Sequence, residues 1–400
     1  MKSDRILFLL SGNLSTTPRA LKTIRYLGGA GCRIVLVSRS PVWLQKDLET
    51  IEALDLKVRI LDLTRNHFFS WLRTGLLHKL ALLFCALGSN SLKWTAYASE
   101  KAGILLCSAE KGLKREAFDL VIAHGYGTLY AAFRLATKMQ IPFIYDAEDY
   151  HPGETIALIN PPEQRRRTAL MKAIYPRAKS LFYASPLIRS YSEKLVGGSL
   201  NPITLNNSFP AEEFTEPAVI EGELRLIWFS QLISMDRGLG LLFEALEALE
   251  RQDWELTLIG RNGARFEAEI PPGLKQHVKL LPPMQQTDLH KALANYDVGL
   301  ALELSGHELN RNICLTNKIH AYAQAGLYIL ATDTRAQQAF IRDETGLVCS
   351  QEPRGMKEAL SALFEKKTEI RSRKQKRFLS ARKLAWEYEC EKIKELGIHA

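Results

Sequence analysis

The sequence predicts an α/β protein of two consecutive domains, each a doubly wound parallel sheet covered by helices on both faces. Three observations predict it. Short apolar runs alternate with amphipathic segments of helical period along most of the 400 residues, the pattern of strands buried on both faces and joined by crossover helices. The alternation lapses once, in "NPITLNNSFPAEEF" from Asn201 to Phe214, where Pro, Asn and acidic residues replace it. It then restarts, in a chain longer than one hydrophobic core usually serves. The expected organisation is therefore two Rossmann-like domains facing a cleft, residues 1–205 and 206–375, with a helix at 376–400 packing back toward the first.

The elements follow in order. "MKSDRILFLLSGN" begins like a secretory leader, but its apolar run Ile6 to Leu10 is short and ends at Ser-Gly-Asn without a small-residue cleavage site. It reads as a first buried strand, "RILFLLS". Thr17-Pro18 opens a helix with proline at its first position, and the strands "CRIVLVS", "KVRILDL", "FDLVIAH", "PFIYDA" and "SLFYAS" succeed one another. Between the third and fourth lies the most apolar stretch, "FFSWLRTGLLHKLALLFCALG" (Phe68 to Gly88). Arg73, His78 and Lys79 interrupt it below spanning length. Two readings stay open, a helix packed in the first domain or one lying on a bilayer surface with Trp71 and the basic residues at the interface. The second domain runs "LRLIWFS", "WELTLIG", "VKLLPP", "DVGLALE" and "LYILATD", separated by helical segments such as "LGLLFEALEALE" and "TDLHKALANY". The final "RKQKRFLSARKLAWEYECEKIKEL" reads as one long helix with a solvated basic face.

Composition narrows the partners. With 46% hydrophobic and 24% charged residues the chain has an ordinary globular composition, and disorder is not indicated. A net charge of +9 favours an anionic partner: nucleic acid, a membrane surface or a phosphorylated metabolite. Nucleic acid is set aside, since the basic residues are not interleaved with aromatics in any recognised module. The six cysteines are scattered with no CxxC pair and no histidine at zinc spacing. Buried thiols in a reducing compartment are expected. A cytoplasmic location is expected, with peripheral contact on the cytoplasmic membrane face left open.

Open parallel sheets bind ligands beyond the carboxyl ends of their strands. After the first strand, "SGNLSTTPRALKTIRYL" offers Gly12 and Asn13, but it is not G-x-G-x-x-G, and a nicotinamide cofactor lacks its fingerprint. After the fourth, "AHGYGTLYAA" puts His124 at a strand end beside Gly125 and Gly127. After the fifth, "YDAEDYHPGE" gathers Asp146, Glu148, Asp149, His151 and Glu154, too many titratable groups to bury cheaply away from a site. In the second domain, Ser230 and Gln231 offer neutral hydrogen bonds at a strand tip, and Arg237 before Gly238 places a cation at a helix start. "CLTNKIHAYAQAGLYILAT" then begins a short helix with Asn317 and Lys318, read as an exposed second cation where the helix dipole also favours an anion. Two such helix starts suit a pyrophosphate.

These segments resemble the GT-B glycosyltransferases of the large retaining family 4 type, which transfer a sugar from a nucleotide-sugar donor to an acceptor. "PRALKTIRYLGGAGCRIVLVS", "FDLVIAHGYGTLYAA" and "IPFIYDAEDYHPGE" resemble the first domain of that family, the last its "YDxHE" stretch. "LIWFSQLISMDRGLGLLFEAL", "LHKALANYDVGLALE" and above all "TNKIHAYAQAGLYILATD", similar to "PNKLFEYLAAGLPVVASD", resemble its second. The resemblance implies diphosphate contacts from Arg237 and Lys318 with Asn317 beside them, and His124 facing the reacting sugar. It implies a glycan, glycolipid or lipid-linked acceptor. No cofactor and no metal is expected, since the nucleotide sugar is a substrate and two fixed cations stand at the leaving phosphate. The general base is left open between His124 and a carboxylate of Glu148 or Asp149. Three positions depart from the family pattern: Ala321 replaces a ribose-binding glutamate, Ser230-Gln231 replaces Gly-Arg, and Glu148 replaces the histidine of "YDxHE". A catalytically silent binding or assembly protein and a nucleotide-sugar epimerase of the same fold are the alternatives.

Overall fold

The computed structural model describes residues 5–27, 32–113, 116–198, 201–218, 221–263, 265–306 and 308–398. The chain divides into two compact units, Met1–Leu205 with Cys390–Ala400, and Asn206–Glu389. In the first, β1 (Ile6–Leu10), β2 (Arg33–Ser38), β3 (Val58–Asp62), β4 (Leu120–His124), β5 (Phe143–Ala147), β6 (Ser180–Tyr183) and β7 (Pro202–Thr204) form one sheet in the order β3-β2-β1-β4-β5-β6-β7. Among the described residues every pairing in it is parallel. All five residues of β1, β4 and β5 are buried, as strands covered on both faces require. The covering helix Pro18–Leu27 turns Ala20, Ile24 and Leu27 inward at helical spacing.

In the second unit, β8 (Leu224–Ile233), β9 (Trp254–Asn262), β10 (Val278–Leu281), β11 (Val298–Ala301), β12 (Tyr328–Thr332) and β13 (Gly346–Cys349) are ordered β10-β9-β8-β11-β12-β13, again parallel. Trp228 and Trp254 anchor a core that continues through Leu256, Leu258, Leu300 and Leu330 to the Pro353–Glu365 helix. In both sheets strand order reverses beside the first strand, between β1 and β4 and between β8 and β11. Those two switch points are where a doubly wound sheet opens to a ligand.

The structure departs from the sequence reading at four places. The expected linker begins as a strand, since Pro202–Thr204 pairs with β6 at the sheet edge, where a proline is tolerated. Gly346–Cys349 adds an edge strand to the second sheet. The C-terminal segment is not one helix, because Ala385 is extended between Arg382–Leu384 and Trp386–Lys394. The first strand of the second unit does not stop at Ser230 but continues to Ile233 past a register shift between Phe229 and Leu232.

Candidate functional site

At the switch point of the first sheet, His124 ends β4 and is almost fully buried. Its Nδ1 lies 3.1 Å from Asp146 Oδ2, and the Arg19 guanidinium meets the same carboxylate, Nε standing 3.0 and 2.8 Å from its two oxygens. Burial would raise the Asp146 carboxyl, but the Arg19 charge and the His124 hydrogen bond outweigh it and hold the group at about 2. A carboxylate only accepts, so Nδ1 carries the proton toward it. That leaves His124 Nε2 buried and without a hydrogen-bond partner among the described residues. Gly125, at φ +84°, lets this strand end crowd the loop after β1, since a Cβ there would sit 2.3 Å from Ser11 Oγ.

The loop after β1 is braced internally. Asn13 is buried, its Nδ2 donates to Asp47 Oδ2 at 2.8 Å, and its Oδ1 accepts from the Arg39 backbone N–H at 2.9 Å. Its amide is thus engaged at both ends by the protein, which makes it a brace of the loop and not a free ligand group. Gly12 has room for a side chain, with Thr16 Oγ1 3.8 Å from a built Cβ. After β5, Glu148 and Asp149 are partly exposed. Burial in the protein and the neighbouring Asp149 charge push the Glu148 carboxyl up to about 7, against the pull of Arg19. His151 and Glu154 belong to a separate buried network. His151 Nε2 meets Tyr145 Oη at 2.8 Å and Nδ1 meets Glu154 Oε1 at 2.7 Å, while Arg167 bonds both Glu154 and Glu163. Burial alone would raise Glu154, but His151 and Arg167 together hold it at about 2.

At the switch point of the second sheet, a cavity of about 460 Å³ collects Ser230, Gln231, Arg237, Asn317 and Lys318. Ser230 and Gln231 sit in the irregularity of β8, and its neighbour Gly260 makes room, because a Cβ there would lie 2.3 Å from Ser230 O. Arg237 is exposed and touches Ser230 Oγ at 3.1 Å. The Asn317–Gln324 helix begins at the cavity, and Asn317 Oδ1 accepts from Asn207 Nδ2 at 2.7 Å. Thr316 Oγ1, at the cap of that helix, is buried with no hydrogen-bond partner among the described residues. Lys318 corrects the sequence reading. It is not a bare exposed cation: its Nζ lies 2.6 Å from Glu303 Oε1 and 5.2 Å from the Trp228 ring. Burial would raise Glu303, and Lys318, then Arg311 and Arg237, lower it below its ordinary value. The lining also includes the apolar Phe209, Phe229, Ile259, Pro283, Met284 and Leu289.

The arrangement has relatives. Residues 223–366 match the family model described as glycosyl transferases group 1. Over the whole chain, solved structures share the architecture: HepE of Anabaena in complex with UDP, at TM-score 0.69 and 14% identity over 98% of both chains, and sucrose-phosphate synthase of Thermosynechococcus elongatus, at 0.65 and 12% over 98% of both. The fold is that of the GT-B glycosyltransferases. The lipopolysaccharide outer core galactosyltransferase WaaB also shares it, at TM-score 0.61 and 12% identity over 98% of both chains. No curated protein matches the sequence. The matched segment contains every predicted group of the second-unit cavity.

Sequence reasoning passed over Arg19, Glu303 and the apolar residues of the cavity lining. Arg19 follows Pro18 like any surface helix residue, and only the fold brings it to Asp146, 127 positions away. Glu303 had a signal, as an acid ending the apolar run "DVGLALE" at a strand tip. Among the described residues no group of three or more His, Cys, Asp or Glu is placed to hold a metal ion.

Proposed function

We propose that the chain is a glycosyltransferase that moves a hexosyl group from a nucleoside-diphosphate sugar to a hydroxyl of a glycan, glycolipid or lipid-linked acceptor, with retention at the anomeric carbon. The observation that carries this is the convergence of Ser230, Gln231, Arg237, Asn317 and Lys318 on one cavity at the second switch point. The five polar groups suit a diphosphate and ribose, and the apolar residues that share the lining suit a nucleobase face.

As the bond from the anomeric carbon to the diphosphate oxygen breaks, negative charge grows on the leaving phosphate. Arg237 is free to turn onto it. The ion pair with Glu303 holds the Lys318 ammonium in place while its N–H donors remain for phosphate oxygens. Preorganised cations of this kind lower the barrier without waiting for solvent to reorient. They provide the charge compensation in this scheme with no metal or other cofactor required.

Retention requires the acceptor hydroxyl to attack the anomeric carbon from the face the diphosphate leaves, and in the first unit that hydroxyl needs a proton acceptor and a positioning partner. Glu148, poised at about 7, is the base this reading selects. His124, its Nδ1 tied to Asp146 and its Nε2 buried, is assigned as the positioning partner at the strand end beside this carboxylate. A putative UDP-N-acetylglucosamine 2-epimerase of Listeria monocytogenes shares the fold at TM-score 0.57 and 13% identity over 96% and 95% of the two chains. Product analysis separates the two chemistries. Incubation with labelled nucleotide sugars and candidate acceptors should give labelled glycan and free nucleoside diphosphate, whereas nucleoside diphosphate with an isomerised free sugar would replace this reading by epimerisation. Donor binding with no turnover on any acceptor class would leave a binding protein.

A further inference from the structure

The helix Phe68–Ala86 is inverted relative to a helix of a water-facing surface. Its most buried residues are small or polar, Thr74 and Ala81, with His78 Nδ1 2.7 Å from Tyr97 O and Trp71 and Leu77 only half-buried beside them. Its outward stripe, continued by one residue, is Phe69, Leu72, Leu76, Leu80, Leu83 and Leu87, spaced by three and four and all exposed, Phe69 by 85% and Leu87 by 74%. Contiguous apolar surface of this kind marks an interaction site. The helix is held to the protein by its weak face and offers its strong one.

The charge around it says what covers it. From Leu63 to Ser99 the sequence contains no Asp or Glu and carries Arg65, Arg73, Lys79 and Lys93. Two of these cations stand over interface-type aromatics, Arg65 5.3 Å from the Trp71 ring and Lys93 4.6 Å from the Trp94 ring. Leucines flanked by tryptophans and cations, with acids excluded, complement the acyl boundary and the anionic headgroups of a bilayer. A protein partner of ordinary composition gives no reason for such one-sided charge. Among the described residues no helix is long and apolar enough to cross a membrane, so the contact is lateral.

We infer that this helix lies in the surface of a bilayer rich in anionic lipid and holds the enzyme there. The helix leaves the first sheet after β3, and the chain rejoins through the Lys101–Leu113 helix, where a Cβ at Gly103 would lie 3.0 Å from Gly127 O, just past the end of β4. The insertion therefore departs from and returns to the strand ends that carry His124 and Glu148. Resting on the transferase reading in this one respect, the inference selects a membrane-embedded, lipid-linked acceptor from the classes above.

The test is vesicle co-sedimentation of the full chain, with phosphatidylcholine alone and with about one-third phosphatidylglycerol. Binding to the anionic vesicles, weakened by salt and slight on the neutral ones, is expected. L72E/L76E/L83E, at exposed positions that leave the fold intact by circular dichroism, should lower the partition coefficient at least about a hundredfold. Arg73→Gln with Lys79→Gln should lower it about fivefold per cation, roughly twenty-five-fold together. Failure of the full chain to bind anionic vesicles, or unchanged binding by the triple variant, overturns the inference. So does a solution dimer that the triple variant dissolves without any vesicle binding, which would make a second copy the occupant. Donor binding by the triple variant is read separately, so loss of one reading leaves the other standing.

Discussion

Replacing Lys318 separates its two roles. The Lys318 and Glu303 side chains are 12% and 18% exposed and 2.6 Å apart. Removal of the lysine in Lys318→Met strands the carboxylate. Breaking a fully buried pair costs about 3–5 kcal/mol, but remaining solvent and the Arg311 and Arg237 charges reduce this to about 1–2 kcal/mol here. For a unit of this size that lowers Tm by about 2–8 °C. The same substitution removes a charge-assisted contact to the donor diphosphate, so affinity for the nucleotide sugar should fall roughly ten- to a hundredfold. Both effects appear together in the single variant. Lys318→Met with Glu303→Gln parts them, because the neutral amide no longer needs a cation: stability should return to within about 0.5 kcal/mol of the wild type while affinity stays low. Differential scanning calorimetry and titration calorimetry on the four proteins of the cycle give both numbers. If donor affinity recovers with stability in the double variant, Lys318 is a structural partner of Glu303 and the phosphate assignment fails.

Three further outcomes follow from the geometry. Arg237→Ala, at an exposed side chain whose described contact is Ser230 Oγ, should cost donor affinity roughly tenfold or more with no measurable change in Tm; a drop in Tm without loss of affinity would make it a loop brace. Glu148 has a folded value raised to about 7, so its ionisation opposes folding as pH rises from its ordinary value near 4.5 through 7. Glu148→Gln should therefore gain stability relative to the wild type at pH 8 compared with pH 5, and should lose the rise of kcat with pH that a base of this value imposes; a retained limb points to another base. Asp146 is held at about 2, so its stabilisation is complete above about 4 and fades as pH falls toward 2. Asp146→Asn, which uncouples the fully buried Arg19, should cost about 3 kcal/mol in denaturant unfolding at pH 7, and a loss below about 1 kcal/mol would contradict the described pairing.

What the sequence made legible was periodicity and chain-local chemistry. The apolar strands and the Thr316–Gly326 helix lie within a residue or two of their expected bounds, save the first strand of the second unit, which runs three residues further, because strands buried on both faces are written as continuous apolar runs. Pro202–Thr204 and Gly346–Cys349 escaped because edge strands are short and only partly apolar. The groups of the second-unit cavity were readable one loop at a time, and parallel topology brings all strand ends to one side of a sheet. Pairings across the sheet were not readable. Glu303 lies fifteen positions before Lys318, on a different strand end, and nothing local to "TNKIHAYAQAG" announces that its lysine already has a partner. The bulge at Ser230-Gln231 likewise depends on Gly260 in the neighbouring strand.

Donor binding to the wild-type chain tests the central claim most directly. Titration calorimetry with UDP-, GDP-, ADP- and dTDP-sugars should show one nucleotide class binding with a single site per chain, and the corresponding free nucleoside diphosphate should compete for it. Saturating that site at a hundred times its Kd should add about 2.7 kcal/mol to the stability of the folded protein, visible as a raised Tm. Absence of binding and of any Tm shift across the four nucleotide sugars would contradict the assignment of the Arg237 and Lys318 cavity as a nucleotide-sugar site.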